Sequence, residues 1–347
     1  MGIFFHPCPD PNGLFSCSWF ILVMGKILII RGGALGDFIL TLPAVAALRQ
    51  ALPPETLIEI LGYEPFTSVA KACGLADNAR SIEYGPLAGF FHPDAQLDPG
   101  LKNFFAGFSL IISYLHDPSG VFQTNVTQCS KALLLQGPHR PVETQPLIPA
   151  AKQLAEPLGK IGIYLESNYV NLWPKNLPER ENSGISNLAR KAPRVALHPG
   201  SGSPRKNWSW ESWLEVVKGI QKVHPKMEVL VTSGEAEMER IEKFYELLSL
   251  SSIPFQPLAN QSLAVAAKKI GECDLYLGND SGISHLAAAT GVPAIVLFGP
   301  SEPKVWAPQN PGTVILQSPD KTMAGIGSAT VLQNALVLLQ NEILPSY

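Results

Sequence analysis

The sequence lacks the features that mark several large classes of protein. Its five cysteines are scattered through 347 residues and never form a C-x-x-C pair, which argues against a disulfide framework or a cysteine zinc site and fits a reducing cytosol. Charged residues make up only 16% of the chain and the net charge is -3. Nucleic-acid binding, which normally needs a basic surplus, is therefore not expected, and the overall charge gives no attraction to an anionic membrane.

Long apolar runs are also lacking. The longest one near the start, residues 14–24, is too short to span a bilayer and lacks the basic flank and cleavage site of a signal peptide. A strand pattern begins directly after Met24, so we expect residues 1–23 to be an N-terminal extension that is either not native or a loose tail. We expect a cytoplasmic protein, and any contact with a membrane must be local and peripheral.

Short apolar runs that alternate with helical stretches are abundant, and this alternation predicts an α/β fold with parallel sheets. Hydrophobic residues make up 46% of the chain, and its length fits two domains. Strands are predicted at 26–31, 57–61, 109–113, 161–166, 194–198, 227–232, 274–278 and 294–298. Helices are predicted at 37–52, 210–223, 235–250, 261–271, 282–290 and 328–342.

Residues 174–193 are polar, contain proline and show no periodicity, so they predict an interdomain linker. The predicted domains are then 24–173 and 194–325, and residues 326–347 are predicted to form a C-terminal helix that packs back on the first domain. Residues 85–107, rich in Phe, Pro and Gly, are either an excursion that faces a second substrate or a surface loop.

The first motif is RGGALGD at residues 31–37, between a predicted strand and a predicted helix. Gly32, Gly33 and Gly36 permit unusual backbone angles and close approach of a ligand, and the amides of a helix start can hold an anion. The spacing matches neither the dinucleotide fingerprint nor the P-loop. Asp37 ends the motif, where it either caps the helix or acts in catalysis.

The second motif is HPGSGSPRKNWSW at residues 198–210. Loops of this composition suit phosphate, because hydroxyls such as that of Ser201 donate hydrogen bonds and a cation such as Lys206 compensates charge. The alternative is a flexible basic loop. Ser209 is predicted to cap the following helix, and His198 is interpreted as a structural histidine at a strand end.

The third motif, GNDSGISHLAAATGVPAIVLFGP at residues 278–300, is the most specific of the three. The turn after the predicted strand leads into a helix, so Asp280, Ser281 and Gly282 lie where free amides can hold a diphosphate. His285 lies one turn inside that helix. Glu235, after another strand, either caps a helix or accepts hydrogen bonds from a ribose.

The three motifs together resemble glycosyltransferase family 9, the ADP-heptose:lipopolysaccharide heptosyltransferases, over residues 26 to about 308. The resemblance implies a GT-B fold, which is two facing Rossmann-like domains with parallel sheets, the acceptor on the first and the donor on the second. Asp37 matches the family's general base, Lys206 the lysine on the donor phosphates, and Glu235, more loosely, the glutamate near the ribose. The loop and helix start around the diphosphate are matched by Asp280, Ser281, Gly282 and His285.

The resemblance further implies an inverting glycosyltransferase of lipopolysaccharide biosynthesis. Asp37 would take the acceptor proton, and Lys206 with the amides of 281–285 would stabilise the leaving diphosphate. No D-x-D motif is present, so we expect no metal and no cofactor, with a nucleotide-diphosphate sugar, ADP-heptose, as substrate.

The expected partners are this nucleotide-sugar donor and a lipid-linked or oligosaccharide acceptor, bound by a monomer. A basic acceptor groove would draw on Lys102, Lys131, His139 and Arg140. The alternatives are another GT-B nucleotide-sugar enzyme, such as an epimerase, and a non-catalytic nucleotide-sugar binding protein.

Overall fold

The structure, a computed structural model, describes residues 25–173, 192–234 and 238–340. Within these ranges the strands form two parallel sheets, with orders β3-β2-β1-β4-β5 and β11-β10-β9-β6-β7-β8. We call residues 25–159, built on the first sheet, the first lobe, and residues 194–340, built on the second, the second lobe. Residues 160–173 are the connecting segment.

The elements of the first lobe are β1 (Lys26–Arg31), α1 (Leu35–Ala51), β2 (Leu57–Gly62), α2 (Glu64–Ala72), β3 (Asn78–Ser81), α3 (Pro99–Ala106), β4 (Leu110–Ser113), α4 (Val121–Cys129), β5 (Leu133–Gln136) and α5 (Ala150–Gly159). Those of the second lobe are β6 (Arg194–His198), α6 (Trp210–Val223), β7 (Glu228–Ser233), α7 (Met238–Leu250), β8 (Phe255–Ala259), α8 (Leu263–Gly271), β9 (Leu275–Asn279), α9 (Gly282–Ala289), β10 (Ala294–Phe298), α10 (Pro303–Trp306), β11 (Thr313–Gln317) and α11 (Ser328–Leu339).

The central strands are apolar throughout because helices cover both faces of each sheet. In the first sheet, Ile29 pairs with Ile60 on one side and Ile112 on the other, and all three are buried. In the second sheet, β9 lies between β10 and β6, and each of its residues is buried. Seven of the eight predicted strands fall on these buried runs.

The missed strands are mostly short or polar strands at or near the sheet edges. β3 has the sequence NARS, and the first three positions of β8 are half-buried or exposed. β5 and β11 are partly exposed, so they lack the continuous apolar run that identifies a central strand.

The predicted strand at 161–166 is wrong. The amides of Ile161 and Ile163 both bond to the carbonyl oxygen of Leu158, and Gly162 lies between them with φ 74°. These bonds fold the chain back on the end of α5, so it cannot pair with a sheet. The side chains of Ile161 and Ile163 are nevertheless buried in the first lobe's core, which explains their strand-like apolar pattern.

The connecting segment is bonded to the second lobe. The Leu172 amide donates to the carbonyl oxygen of Ala289 at 2.7 Å, and the Asn310 side chain donates to the carbonyl oxygen of Val170 at 2.9 Å. Val170 and Leu172 are buried in the same apolar cluster as α1. The segment therefore forms a seam that belongs to both lobes.

The predicted packing of the C-terminal helix on the first domain is wrong for the part of it that is described. α11 contacts α6, β9 and β10, and Val331 and Ala335 are buried in the second lobe's core. Gly219 on α6 faces Leu332 so closely that a Cβ atom there would overlap it. The apolar face of α11 thus covers the sheet that immediately precedes it in the chain.

Residues 85–107 contain two helical stretches and are therefore more than a surface loop. They form a 3-10 helix at Gly85–Phe91 and α3, and Phe90 and Phe105 pack with Phe122 in the core on one face of the first sheet. The predicted extension 1–23 and nearly all of the predicted linker lie outside the described residues. Among the helices described, none is both long and apolar enough to cross a membrane.

Replacement of Gly219 by valine tests the position of α11. The added side chain would overlap Leu332, so we expect Gly219→Val to lower the free energy of unfolding by about 1–3 kcal/mol, measured by urea denaturation. Adding Leu332→Ala should recover much of that loss because it makes room. Gly85→Val, at an exposed glycine with open space around it, is the control and should change stability by less than about 0.5 kcal/mol. Full stability of the Gly219→Val protein would contradict this packing.

Candidate active site

A cleft of about 630 Å³ lies between the lobes, at the carboxyl ends of the central strands. Parallel sheets place their ligand sites at this edge. The first lobe contributes Ala34, Gly36, Asp37, Leu40, His139, Arg140 and Glu143 to its wall. The second lobe contributes Gly202, Ser203, Lys206, Asp280, Ser281, Gly282, His285, Pro300, Ser301 and Trp306.

Asp37 serves as a helix cap and also faces the cleft. It is the third residue of α1, and its Oδ2 accepts a hydrogen bond from the amide of Ala34 at 3.2 Å, which is the capping arrangement. Its side chain is nevertheless 32% exposed and lines the cleft. The capping interpretation is therefore confirmed, and the exposed carboxylate remains available for a second role.

Arg31 lies behind Asp37 and was not among the predicted site residues. Its side chain is 2% exposed, and Nη2 lies 3.7 Å from Oδ1 of Asp37. Nη1 donates to the carbonyl oxygen of His139 at 2.8 Å, and the guanidinium lies 5.7 Å from the centre of the Tyr114 ring. Burial lowers the pKa of Arg31, while the Asp37 carboxylate opposes that effect. This buried cation connects Asp37 to the chain segment that carries His139 and Arg140.

The two lobes meet backbone to backbone at a pair of glycines. A Cβ atom on Gly282 would lie 2.8 Å from Cβ of Leu35 and 2.9 Å from the amide nitrogen of Gly36. Gly36 in turn faces the His285 ring. The amino-terminal ends of α1 and α9 therefore converge on the cleft, and both bring partial positive charge to it.

Asn279 organises the second lobe's side of the cleft. It is fully buried at the end of β9, where its side chain donates to the carbonyl oxygen of Pro199 at 2.8 Å and accepts from the Trp208 amide at 3.2 Å. Both ends of the loop after β6 are thereby fixed to the turn that carries Asp280. The residue lies within the third motif but was not among the predicted site residues.

Lys206 and Asp280 form the shortest ion pair of the cleft. Lys206 Nζ lies 2.6 Å from Oδ2 of Asp280. Asp280 is only 7% exposed whereas the lysine is 34% exposed, so the ammonium group remains accessible from the cleft. The second and third motifs, 74 residues apart, are brought together by this contact.

Ser281 caps α9. Its hydroxyl accepts from the Ser284 amide at 3.3 Å. The Ser284 hydroxyl donates to the carbonyl oxygen of Asn279 at 2.5 Å and lies 2.9 Å from the Tyr276 hydroxyl. This buried network fixes the start of α9, whose first amides face the cleft.

His285 lines the cleft with a side chain that is only 6% exposed. Its ring makes no hydrogen bond to another residue in the described ranges. Burial lowers the pKa of His285, and Lys206 adds to the decrease, while the carboxylates of Asp280 and Asp37 oppose it. The imidazole is thus held neutral among charged groups.

Other predicted residues lie outside the cleft wall. Gly33 has φ 92°, and a side chain there would crowd Asp37, whereas Gly32 has ordinary space around it. Ser201 is buried, and its hydroxyl bonds within its own loop to Ser203 and Asn207. Glu235 lies outside the described residues.

His198 is the structural histidine that was predicted. It is buried at the end of β6, and Nδ1 lies 3.0 Å from the carbonyl oxygen of Thr232.

The first lobe's outer wall contains part of the predicted basic groove. His139 and Arg140 line the cleft, whereas Lys102 lies near Cys129 and Lys131 is on neither wall. Glu143 accepts a 2.5 Å hydrogen bond from the indole of Trp306, which joins the lobes at this point. In the ranges described, no group of three or more His, Cys, Asp or Glu side chains is arranged to hold a metal ion.

Comparisons with known proteins agree with this architecture. Lipooligosaccharide heptosyltransferase 2 of Campylobacter jejuni is 28% identical over 110 residues, which are 31% of this chain and 34% of that protein. The chain thus aligns with about a third of that relative's length. Lipopolysaccharide heptosyltransferase 1 of Pseudomonas aeruginosa is 24% identical over 80% of this chain and 79% of its own. The solved structure of E. coli ADP-heptose LPS heptosyltransferase II has a TM-score of 0.70 at 18% identity, covering 91% of this chain and 99% of that one.

The family comparison covers the second lobe almost completely. The model of glycosyltransferase family 9 (heptosyltransferase) matches residues 153–335, just over half of the chain, from α5 into α11. Lys206, Asp280 and His285 lie inside the match, and Asp37 lies outside it. The two facing lobes with parallel sheets form a GT-B fold, and the chain belongs to glycosyltransferase family 9.

Proposed function

We propose that this protein is an inverting, metal-independent glycosyltransferase that moves a heptose from ADP-heptose to a lipopolysaccharide core or a related surface-glycan acceptor. Membership of family 9 and the heptosyltransferase activity of the relatives named above support this reaction class. The protein would act as a monomer in the cytoplasm, in peripheral contact with the inner membrane where its acceptor is lipid-linked.

The proposal is supported by two different kinds of group that face each other across one cleft. The first lobe brings the exposed carboxylate of Asp37, and the second lobe brings the Lys206 ammonium and the first amides of α9. One side of the cleft is thus suited to accept a proton and the other to bind a diphosphate.

In the proposed reaction, the acceptor hydroxyl attacks the anomeric carbon of the donor sugar while Asp37 takes its proton. The new bond joins the acceptor oxygen to that carbon, and the bond to the diphosphate oxygen breaks with its electron pair leaving on the ADP. Attack from the face opposite the diphosphate inverts the configuration. The proton then passes from Asp37 to solvent.

Departure of the diphosphate adds negative charge at the start of α9. Lys206 and the free amides after Ser281 are positioned to stabilise that charge, since helix amino termini and cations do so in a dry site. Lys206 already pairs with Asp280, and that pair would be shared with the incoming phosphate. We infer that these groups do the work that a divalent cation does in other transferases.

Asp37→Asn separates the catalytic role of this residue from its capping role. Asparagine can still accept the Ala34 hydrogen bond, so the fold should remain intact, but it cannot take a proton. We expect turnover to fall by at least about a hundredfold, while the dissociation constant for ADP stays unchanged in calorimetry. Near-normal turnover would remove Asp37 from the role of general base.

Lys206→Ala, unlike Asp37→Asn, should weaken the binding of the nucleotide. Loss of one charge-assisted contact should weaken ADP binding by about ten- to a hundredfold. The matched control is Arg205→Ala, because Arg205 is the adjacent exposed cation and does not line the cleft. Equal effects of the two substitutions would mean that only the general charge of the loop matters.

The metal-free mechanism is tested by chelation. We expect the transfer rate, followed by mass spectrometry of the glycosylated acceptor, to be the same with and without EDTA. Loss of activity in EDTA together with recovery on adding Mg²⁺ would overturn this part of the proposal.

A further inference from the structure

We propose that His285 takes up a proton when the nucleotide-sugar donor binds, so that the donor's diphosphate is met by an imidazolium that is absent from the free protein. The proposal rests on the donor site described under the proposed function. It adds a proton-coupled step, and a second cation, to that site.

The charged groups around His285 offer no surplus of positive charge to an incoming diphosphate. Of the groups that face His285, Lys206 carries a positive charge, and Asp280 and Asp37 carry negative ones. The ammonium of Lys206 is already paired with Asp280 at 2.6 Å. Arg31 lies 3.7 Å from Asp37 and adds a second positive charge. This part of the cleft is therefore neutral overall when His285 is neutral, whereas a nucleotide-sugar diphosphate brings one negative charge on each phosphate.

The outer wall does not change this balance. Arg140 and Glu143 line the cleft from the segment after β5, and their charges are opposite. His139, the other histidine of the cleft, is exposed, and its ring contacts the ring of His116 at a tilt of 57°. A proton on His285 is the change that supplies positive charge where the diphosphate would lie.

The position of the His285 ring also favours uptake of a proton when the donor binds. His285 lies in the first turn of α9, whose amino end disfavours a cation in the free protein, and burial lowers its pKa further. The ring has no hydrogen-bond partner among the described residues and opens to the cleft. The protonated form of this buried ring is stabilised when an anion arrives beside it, because an opposite charge within about 4–6 Å favours the charged form of a histidine and raises its pKa.

The proposal fixes the direction in which donor affinity changes with pH. Since the donor-bound form holds one more proton than the free form, donor affinity should decrease as pH rises between the free and bound pKa values of His285. The limiting slope is about tenfold in the dissociation constant per pH unit. Above both values the effect levels off.

The experiment is calorimetric titration of the full-length protein with ADP-glucose at pH 7.5, repeated in Tris and HEPES, whose ionisation enthalpies differ. ADP-glucose is the probe because both phosphates are esterified, whereas the terminal phosphate of ADP titrates near pH 6. The buffer dependence of the heat gives the number of protons taken up. We expect well over half a proton for the wild-type protein and almost none for His285→Gln.

The matched control is His139→Gln, which removes the other cleft histidine and should leave proton uptake unchanged. Loss of uptake in His139→Gln, or its persistence in His285→Gln, would overturn the proposal. If His285→Gln does not fold, the wild-type dissociation constant measured from pH 6.5 to 8.5 decides, because a flat profile contradicts the proposal.

The experiment can refute the role of His285 without refuting the proposed function on which that role rests. Binding of ADP-glucose without proton uptake leaves the donor site intact and refutes only the role of His285. Absence of ADP-glucose binding at every pH refutes the ADP-sugar donor itself, and the inference fails with it.

Discussion

The architecture depends on the close approach of two helix amino termini, one from each lobe. α1 and α9 come within backbone contact because Gly36 and Gly282 have no side chains to separate them. Asp37 directly follows the first glycine and Ser281 directly precedes the second. The glycine pair therefore brings the carboxylate of one lobe opposite the helix amino terminus of the other, and the proposed proton acceptor and the proposed anion site both depend on this one contact.

Charge within the cleft is balanced locally. Asp37 has Arg31 behind it, and Asp280 has Lys206 in front of it, so each carboxylate has a cation close by. The two helix termini add partial positive charge without adding a group that titrates. His285 lies between these pairs, and the proton uptake proposed for it would make its charge depend on what the cleft contains.

The sequence predicts the central strands and the cleft motifs well, because buried parallel strands are continuously apolar and glycine-rich turns follow them. The sequence does not predict the features that depend on contacts between residues distant in the chain. Ile161 and Ile163 look like strand residues but are buried against a helix end, and the apolar face of α11 does not reveal which lobe it covers. Arg31 was overlooked because a strand-ending arginine is usually exposed, and its burial follows from the positions of Asp37, His139 and Tyr114. The roles proposed for Asp37, Lys206 and the start of α9 remain predictions from the family resemblance.

The contacts between the lobes are unequal, and this determines how the cleft can widen. Glu143 and Trp306 are joined by a single solvent-accessible hydrogen bond. The seam at residues 168–172 combines hydrogen bonds to Ala289, Gln309 and Asn310 with buried side chains, so its separation would expose apolar surface to water. The seam and the glycine contact between α1 and α9 therefore form the firmly joined side of the molecule, and the cleft can widen at the Glu143–Trp306 edge with the loss of one exposed hydrogen bond.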